Sequence, residues 1–326
     1  MEVSGKILRR SIHSFLQNYH YFTSTAAFLV FPFSASILLS QAPIPATSSL
    51  LPHIYNRLRT LFDAAGFPSS SQLFSILNLK VSQTITSSIL TFPFTITFLL
   101  IAKAFVIRAL NHSKPTLSPS FASIASLYKP LFHTYIWNSL MIISANATAF
   151  SLLSFTFSCF EGLGLSSPNC LLLLSAAGIV LFSVILANAL VICNMATVLS
   201  GMEEHGGYMA ILKACVLMRG KTSMALFLAL PVNMVLAAIE ALFQFRVVRA
   251  YHIAQRPAFS MASEGIFIAY LYSVFAVLDT IVSCMFYKSC KREFLIDQDD
   301  KHILRIEFSE EENYGYMGTK NFEELP

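Results

Sequence analysis

The stretch CLLLLSAAGIVLFSVILANALVICNMATVLSGM, from Cys170 to Met202, contains no Asp, Glu, Lys or Arg. As a helix rising 1.5 Å per residue it extends about 50 Å, well beyond the roughly 30 Å hydrocarbon core of a bilayer. An apolar run of that length reads as a membrane span. The preceding stretch 130–160 is also free of charge. Outward from this pair, further charge-poor runs give six spans in all, at 21–41, 82–102, 132–158, 170–199, 222–243 and 265–287. The fifth carries Glu240 near its end, and the sixth carries Asp279.

Composition agrees. Of 326 residues, 55% are hydrophobic and 12% charged. That charged share is about half the usual soluble value, too little to cover a globule in water. The expected fold is all-α: a polytopic membrane helix bundle of about six transmembrane helices with interfacial amphipathic helices. Three regions follow: an amphipathic N-terminal helix at 1–20, a transmembrane domain at 21–287, and an acidic, flexible tail at 288–326. The tail holds six Lys/Arg against ten Asp/Glu. The basic excess therefore lies in the connecting loops, as in membrane proteins, rather than on one polar face as in a nucleic-acid binder. No nucleic-acid partner is expected.

Lys and Arg set the orientation. One side of the six spans holds 16 of them and the other six. Both termini are therefore expected in the cytoplasm. The sequon at Asn111 then lies on a cytoplasmic loop and that at Asn146 inside a span, so neither is expected to be glycosylated. Val3, Ile7, Leu8, Ile12, Phe15, Leu16 and Tyr19 recur at helical spacing opposite Lys6, Arg9, Arg10 and His13. That pattern predicts a helix on the cytoplasmic leaflet. A second amphipathic segment is expected at 50–65. Ser40-Gln-Ala42 resembles a cleavage site, but the long apolar run favours an uncleaved signal anchor. The secretory pathway or plasma membrane is the expected location. An organelle envelope is the alternative, because no acid falls between Glu2 and Asp63.

Pro32, Pro93 and Pro231 lie inside spans, where Ser/Thr hydroxyls and neighbouring helices can satisfy the freed carbonyls. Two of them share a pattern. Leu29–Leu39 and Leu90–Leu100 both read Leu-x-Phe-Pro-Phe-(Ser/Thr)-x-(Ser/Thr)-x-Leu-Leu. The pattern extends no further, and chance in a biased composition accounts for it better than an inverted repeat does.

Asp279 lies eight residues before Lys288, about 12 Å inside the helix end. A carboxylate at that depth costs roughly 3 kcal/mol on insertion scales, so it is expected to face the bundle interior. Lys103 and Arg108 are candidate partners. Asp279, Glu240, Asn188 and Asn233 form the candidate intramembrane polar set. No catalytic, cofactor or metal site is expected. The eight His show no ligand spacing, and no nucleophile, phosphate-loop or dinucleotide motif occurs. Cys159 and Cys170 bracket a short loop and could pair in an oxidising lumen. Cys284 and Cys290 flank the membrane boundary beside basic residues, a setting for palmitoylation. In the tail, Ser309 sits in an acidic cluster suited to phosphorylation, and Tyr314-Gly-Tyr-Met317 fits a sorting signal.

The loop 201–221 is the most distinctive. It reads Val198-Leu-x-x-Met-Glu-Glu-x-Gly-Gly-x-x-Ala-x-x-Lys-Ala-x-x-Leu-x-Arg-Gly-Lys221 from the end of one span to the start of the next. This arrangement resembles uncharacterised plant multi-span membrane proteins. More remotely it is similar to the bacterial membrane domains fused to glycerophosphodiester phosphodiesterases. The resemblance implies a six-span architecture and no mechanism, because the phosphodiesterase chemistry belongs to a separate soluble domain. The loop itself reads as an interfacial helix whose Lys213, Arg219 and Lys221 meet anionic lipid headgroups. The expected function is that of a non-enzymatic scaffold or trafficking component of the endomembrane or plasma membrane system. Its expected partners are the bilayer and cytosolic adaptors read by the tail. The alternative is a small-solute or ion transporter built on Asp279.

Overall fold

The computed structural model describes residues 2–40, 45–64, 72–111, 121–162, 168–203, 206–254 and 259–320. Among them every regular element is helical. In order these are α1 (Glu2–Gln17), α2 (Tyr19–Thr25), α3 (Phe31–Ser40), α4 (Pro45–Ala64), α5 (Gln72–Phe94) and α6 (Leu100–Asn111). There follow α7 (Phe121–Gly162), α8 (Pro168–Glu203), α9 (Tyr208–Met218), α10 (Thr222–Phe243), α11 (Arg249–Ala254) and α12 (Phe259–Lys320). Six runs are long and apolar enough to cross a membrane: Tyr19–Ser40, Ser75–Asn111, Ala125–Leu153, Ala176–Glu203, Thr222–Tyr251 and Ser260–Phe294. Each contains most or all of one span read from the sequence.

Three spans contain a π-helical turn, at Ala26–Val30, Thr95–Leu99 and Gln244–Val248. In each, the following N–H reaches five residues back, as from Phe31 to Ala26 O and from Leu100 to Thr95 O. The first precedes Pro32 and the second follows Pro93, where the α-helical ladder lacks a donor. The two spans run antiparallel, and these two turns pack against each other. The Leu-x-Phe-Pro-Phe pattern thus sits on touching segments, although no further symmetry accompanies it.

The second span is rich in hydroxyls, and several bond within their own helix, while Ser87 meets Ser40 of the first span at 2.7 Å. Ser82 donates to Asn78 O at 2.7 Å, Thr86 to Ser82 O at 2.8 Å and Thr95 to Thr91 O at 2.9 Å. A hydroxyl satisfied in this way is tolerated in lipid or in a packed core.

Helix α12 is the axis of the bundle and contributes to three apolar clusters. At one end Val282, Phe286 and Tyr287 pack with Ile107, Leu131, Leu199, Met218 and Leu228. In the middle Val277 and Ile281 meet Phe22, Val30, Ala102 and Val106. At the other end Ile268 and Tyr272 meet Leu38, Ile239 and Phe243. The α7–α8 contact is the most extensive between any two helices. It leaves Ile143, Phe155, Leu173 and Val180 facing outward, as helices do when the surrounding solvent is lipid.

Two expected surface features sit differently. Helix α1 packs on α10 and α12 rather than lying free on a leaflet. Its buried face is Ser4, Ile7 and Ser11, two of them small enough for close approach. Ile12, Leu16 and Tyr19 stay exposed. At the other terminus the backbone is helical to Lys320, with no break where a flexible tail was expected. Ser309, Tyr314 and Met317 ride on that helix, and their side chains lie outside the described residues.

Candidate functional site

The central position of α12 carries Asp279 into the bundle. It lines a cavity of about 30 Å³ between α8, α10 and α12, together with Asn194 and Ser283. Val191, Leu228 and Phe286 close the cavity with apolar surface. A cavity that holds one water needs about 10–15 Å³ and a few polar partners, so this one accommodates a water or two and no organic solute. Among the described residues, Lys103, on α6, is the charge that acts on Asp279, and Asp279 is the foremost charge acting on Lys103. The two form no direct ion pair within 4 Å. Of the two cations considered from sequence, Lys103 is the partner. Arg108 acts instead on Tyr21, whose hydroxyl donates to Phe105 O at 3.3 Å.

A polar seam runs beside this site along α7 and α8. Asn138 Nδ2 donates to Cys193 O and to Thr197 Oγ1, both at 3.0 Å. Its Oδ1 is buried with no hydrogen-bond partner. One turn toward the loop, Thr134 Oγ1 donates to Pro130 O at 2.8 Å, lies 2.9 Å from Ser200 Oγ and accepts from Gly207 N–H at 2.8 Å. Sequence reasoning missed Asn138, Thr134, Asn194, Thr197 and Ser200. The available signal was spacing: 134 and 138 on α7, and 197 and 200 on α8, each pair set on one helical face.

The seam ends at the loop that the sequence singled out. A Cβ on Gly206 would lie 2.4 Å from Pro130 O. Gly207 has φ +85°, and a Cβ there would lie 2.4 Å from the His133 ring. The Gly-Gly step therefore lets the loop touch α7 and turn into α9. Gly220, at φ +78°, starts the next turn into α10. Glu203 ties the elements together. Its carboxylate accepts from Tyr287 Oη and Lys291 Nζ at 2.8 Å and from Lys213 Nζ at 3.2 Å. Lys221 pairs with Glu293. Two of the three cations expected at the lipid surface are thus drawn into ion pairs. Arg219 remains exposed, with no ion pair among the described residues.

The other expected site residues scatter. Glu240 accepts from Tyr272 Oη at 3.1 Å. Tyr272 precedes Asp279 by seven residues, about 10 Å along the helix, so the two acids form no pair. Asn188 and Asn233 are exposed on the apolar belt, and Asn233 Nδ2 donates to Ala229 O at 3.0 Å. Cys284 and Cys290 are buried, at 0% and 2% exposure. A thiol so placed meets an acyl donor only if α12 moves. Cys159 is exposed, while the side chain of Cys170 lies outside the described residues, and with it the expected pairing. No group of three or more His, Cys, Asp or Glu suited to a metal occurs among the described residues.

Six membrane-length helices, one of them carrying a half-buried carboxylate, define an all-helical polytopic integral membrane protein. Residues 3–311 match the family described as Domain of unknown function (DUF8558), and the chain belongs to that family. No curated protein and no solved structure matches it.

Proposed function

We propose that this integral membrane protein conducts protons across its bilayer without enzymatic chemistry, with Asp279 as the group that takes up and releases the proton. The observation that carries the reading is the place of Asp279: inside the bundle, on a water-sized polar cavity, with Lys103 as its counter-charge. Ionisable residues inside membrane helices are costly, and ion pathways and proton relays are among the roles that retain them. An ionised Asp279 is offset by the Lys103 ammonium. A protonated Asp279 leaves that ammonium unbalanced. The pair therefore couples proton occupancy to the packing of α6 against α12. The cavity volume favours a proton over a larger solute.

The test is proton flux in proteoliposomes under an imposed pH gradient, read with an internal pH dye. Wild type is expected to dissipate the gradient at least about tenfold faster than Asp279→Asn, which removes the titrating group and keeps its shape. Lys103→Met is expected to slow the flux as well. Equal background flux in all three preparations sinks the reading.

A scaffold or trafficking role is the second reading. It is favoured by the continuation of α12 to Lys320, well past the end of its span at Phe294. Proximity labelling from the C-terminus separates the two. Adaptor or vesicle proteins labelled by the full chain, and lost on truncation after Lys291, support this role. Identical neighbours for both chains remove it. The distribution of Lys and Arg supports a cytoplasmic position for both termini.

A further inference from the structure

We infer that a groove between α10 and α12, at the end of the bundle away from α1, binds one phospholipid with a zwitterionic headgroup. The groove measures about 470 Å³ and is lined by Leu242, Arg246, Ser263, Glu264, Phe267 and Ile268. That volume is within the roughly 300–1,000 Å³ typical of small-molecule sites. Its polar and apolar parts are ordered by depth. Arg246 lies five residues before the end of the fifth span at Tyr251, and Glu264 lies four after the start of the sixth at Ser260. Both therefore sit within about 8 Å of the span ends, at headgroup level. Leu242 and Phe267 lie about one turn deeper, where acyl chains begin. Both are exposed, at 43% and 66%, while Ile268 forms a buried floor.

The charges identify the headgroup. Arg246 Nε lies 3.3 Å from Glu264 Oε2, and Nη2 lies 3.4 Å from Oε1. The guanidinium keeps further N–H donors directed outward, and the carboxylate keeps free lone pairs. The Ser263 hydroxyl donates to Ser260 O at 2.8 Å, so its oxygen is left to accept. A phosphodiester meets the outer guanidinium donors. The ammonium of the same headgroup meets Glu264 and the Ser263 oxygen. The groove carries no net charge, so an anionic lipid gains nothing over a zwitterionic one, and a lipid without a phosphate leaves Arg246 unanswered. The π-turn Gln244–Val248 places Arg246 at its centre, next to Phe245, over whose ring Arg249 lies at 5.4 Å.

The test is native mass spectrometry of the full chain in detergent. Phosphatidylethanolamine, phosphatidylcholine, phosphatidylglycerol and diacylglycerol of identical acyl chains are each titrated in turn. Wild type is expected to retain one zwitterionic lipid about tenfold better than phosphatidylglycerol or diacylglycerol, the scale of one charge-assisted hydrogen bond. Glu264→Gln gives the groove a net positive charge and is expected to invert the preference toward phosphatidylglycerol. A merely structural ion pair would not produce that inversion. Arg246→Lys keeps the charge and the zwitterionic preference, which also checks that the groove folds. Equal retention of the four lipids by wild type overturns the inference, as does a Glu264→Gln chain whose preference is unchanged. Asp279→Asn is expected to leave lipid retention intact, so this result stands or falls separately from proton flux.

Discussion

Gly206→Ala is expected to unseat the connection between α8 and α10. The new methyl would lie 2.4 Å from the Pro130 carbonyl oxygen and 2.6 Å from its Cα, so backbone rather than a flexible side chain must yield. Overpacking of this kind costs about 1–3 kcal/mol. Retreat of the loop also breaks the Gly207 N–H bond to Thr134, leaving a buried hydroxyl short of a partner. Gly207→Ala is expected to lose a similar amount by a different route. Its φ of +85° strains any side chain by about 1–3 kcal/mol, although the His133 ring in its way can rotate. Thermal unfolding in detergent is the measurement. Both variants should melt several degrees below wild type, with Gly5→Ala as a control that meets nothing within 4 Å. Melting temperatures equal to wild type would show that the loop does not press on α7.

Glu203→Ala is expected to open the same end of the bundle. It removes the shared acceptor of Lys213, Lys291 and Tyr287, and so leaves two cations facing each other across α9 and α12. Each hydrogen bond to a charged group is worth about 1.5–3 kcal/mol in a shielded setting, and exposure of the lysines reduces that. A net loss of about 2 kcal/mol is expected. The sharper measurement is maleimide labelling of Cys290, which is buried one residue before Lys291. Labelling should accelerate in Glu203→Ala and recover in Glu203→Asp if the shorter carboxylate still reaches Lys291. Unchanged labelling with unchanged melting would mean that the ion pairs are incidental to closure.

The spans were legible because hydropathy is a local sum. A run such as Cys170–Met202 announces itself without knowledge of its neighbours. The inward orientation of Asp279 was legible too, since lipid leaves a carboxylate few alternatives. Its choice of Lys103 over Arg108 was not, because five residues on α6 separate faces that only packing distinguishes. The polar seam of Asn138, Thr134 and Ser200 escaped notice among abundant hydroxyls. Nothing local tells a serine bonded to its own helix, like Ser82, from one near another helix, like Ser200. The N-terminal helix was misjudged for a related reason. Its large apolar residues were all read as one face laid on the leaflet. Ile7, Leu8 and Phe15 do pack, but Ile12 and Leu16 stay exposed while Ser4 and Ser11 are buried, because between membrane helices small residues allow the closest approach. Lys213 and Lys221 were read as headgroup contacts because their acids, Glu203 and Glu293, lie 10 and 72 residues away.

The π-turns have a consequence for angular phase. Each holds one residue more than an α-helical turn in the same place, and one residue is worth about 100° of rotation. Deleting Phe28, which is exposed within the first of them, would restore an uninterrupted α-helix without removing a core side chain. Because the wide turn already takes up that residue, Phe31 to Ser40 would keep their phase relative to α2. Drawing the full sequence into a regular α-helix would instead swing them by about 100° and carry Leu38 away from Ile239 and Phe243, while Phe22 and Ala26 kept their seat. The extra residue is thus slack held within one turn, and it is what lets the two halves of one continuous helix meet different partners.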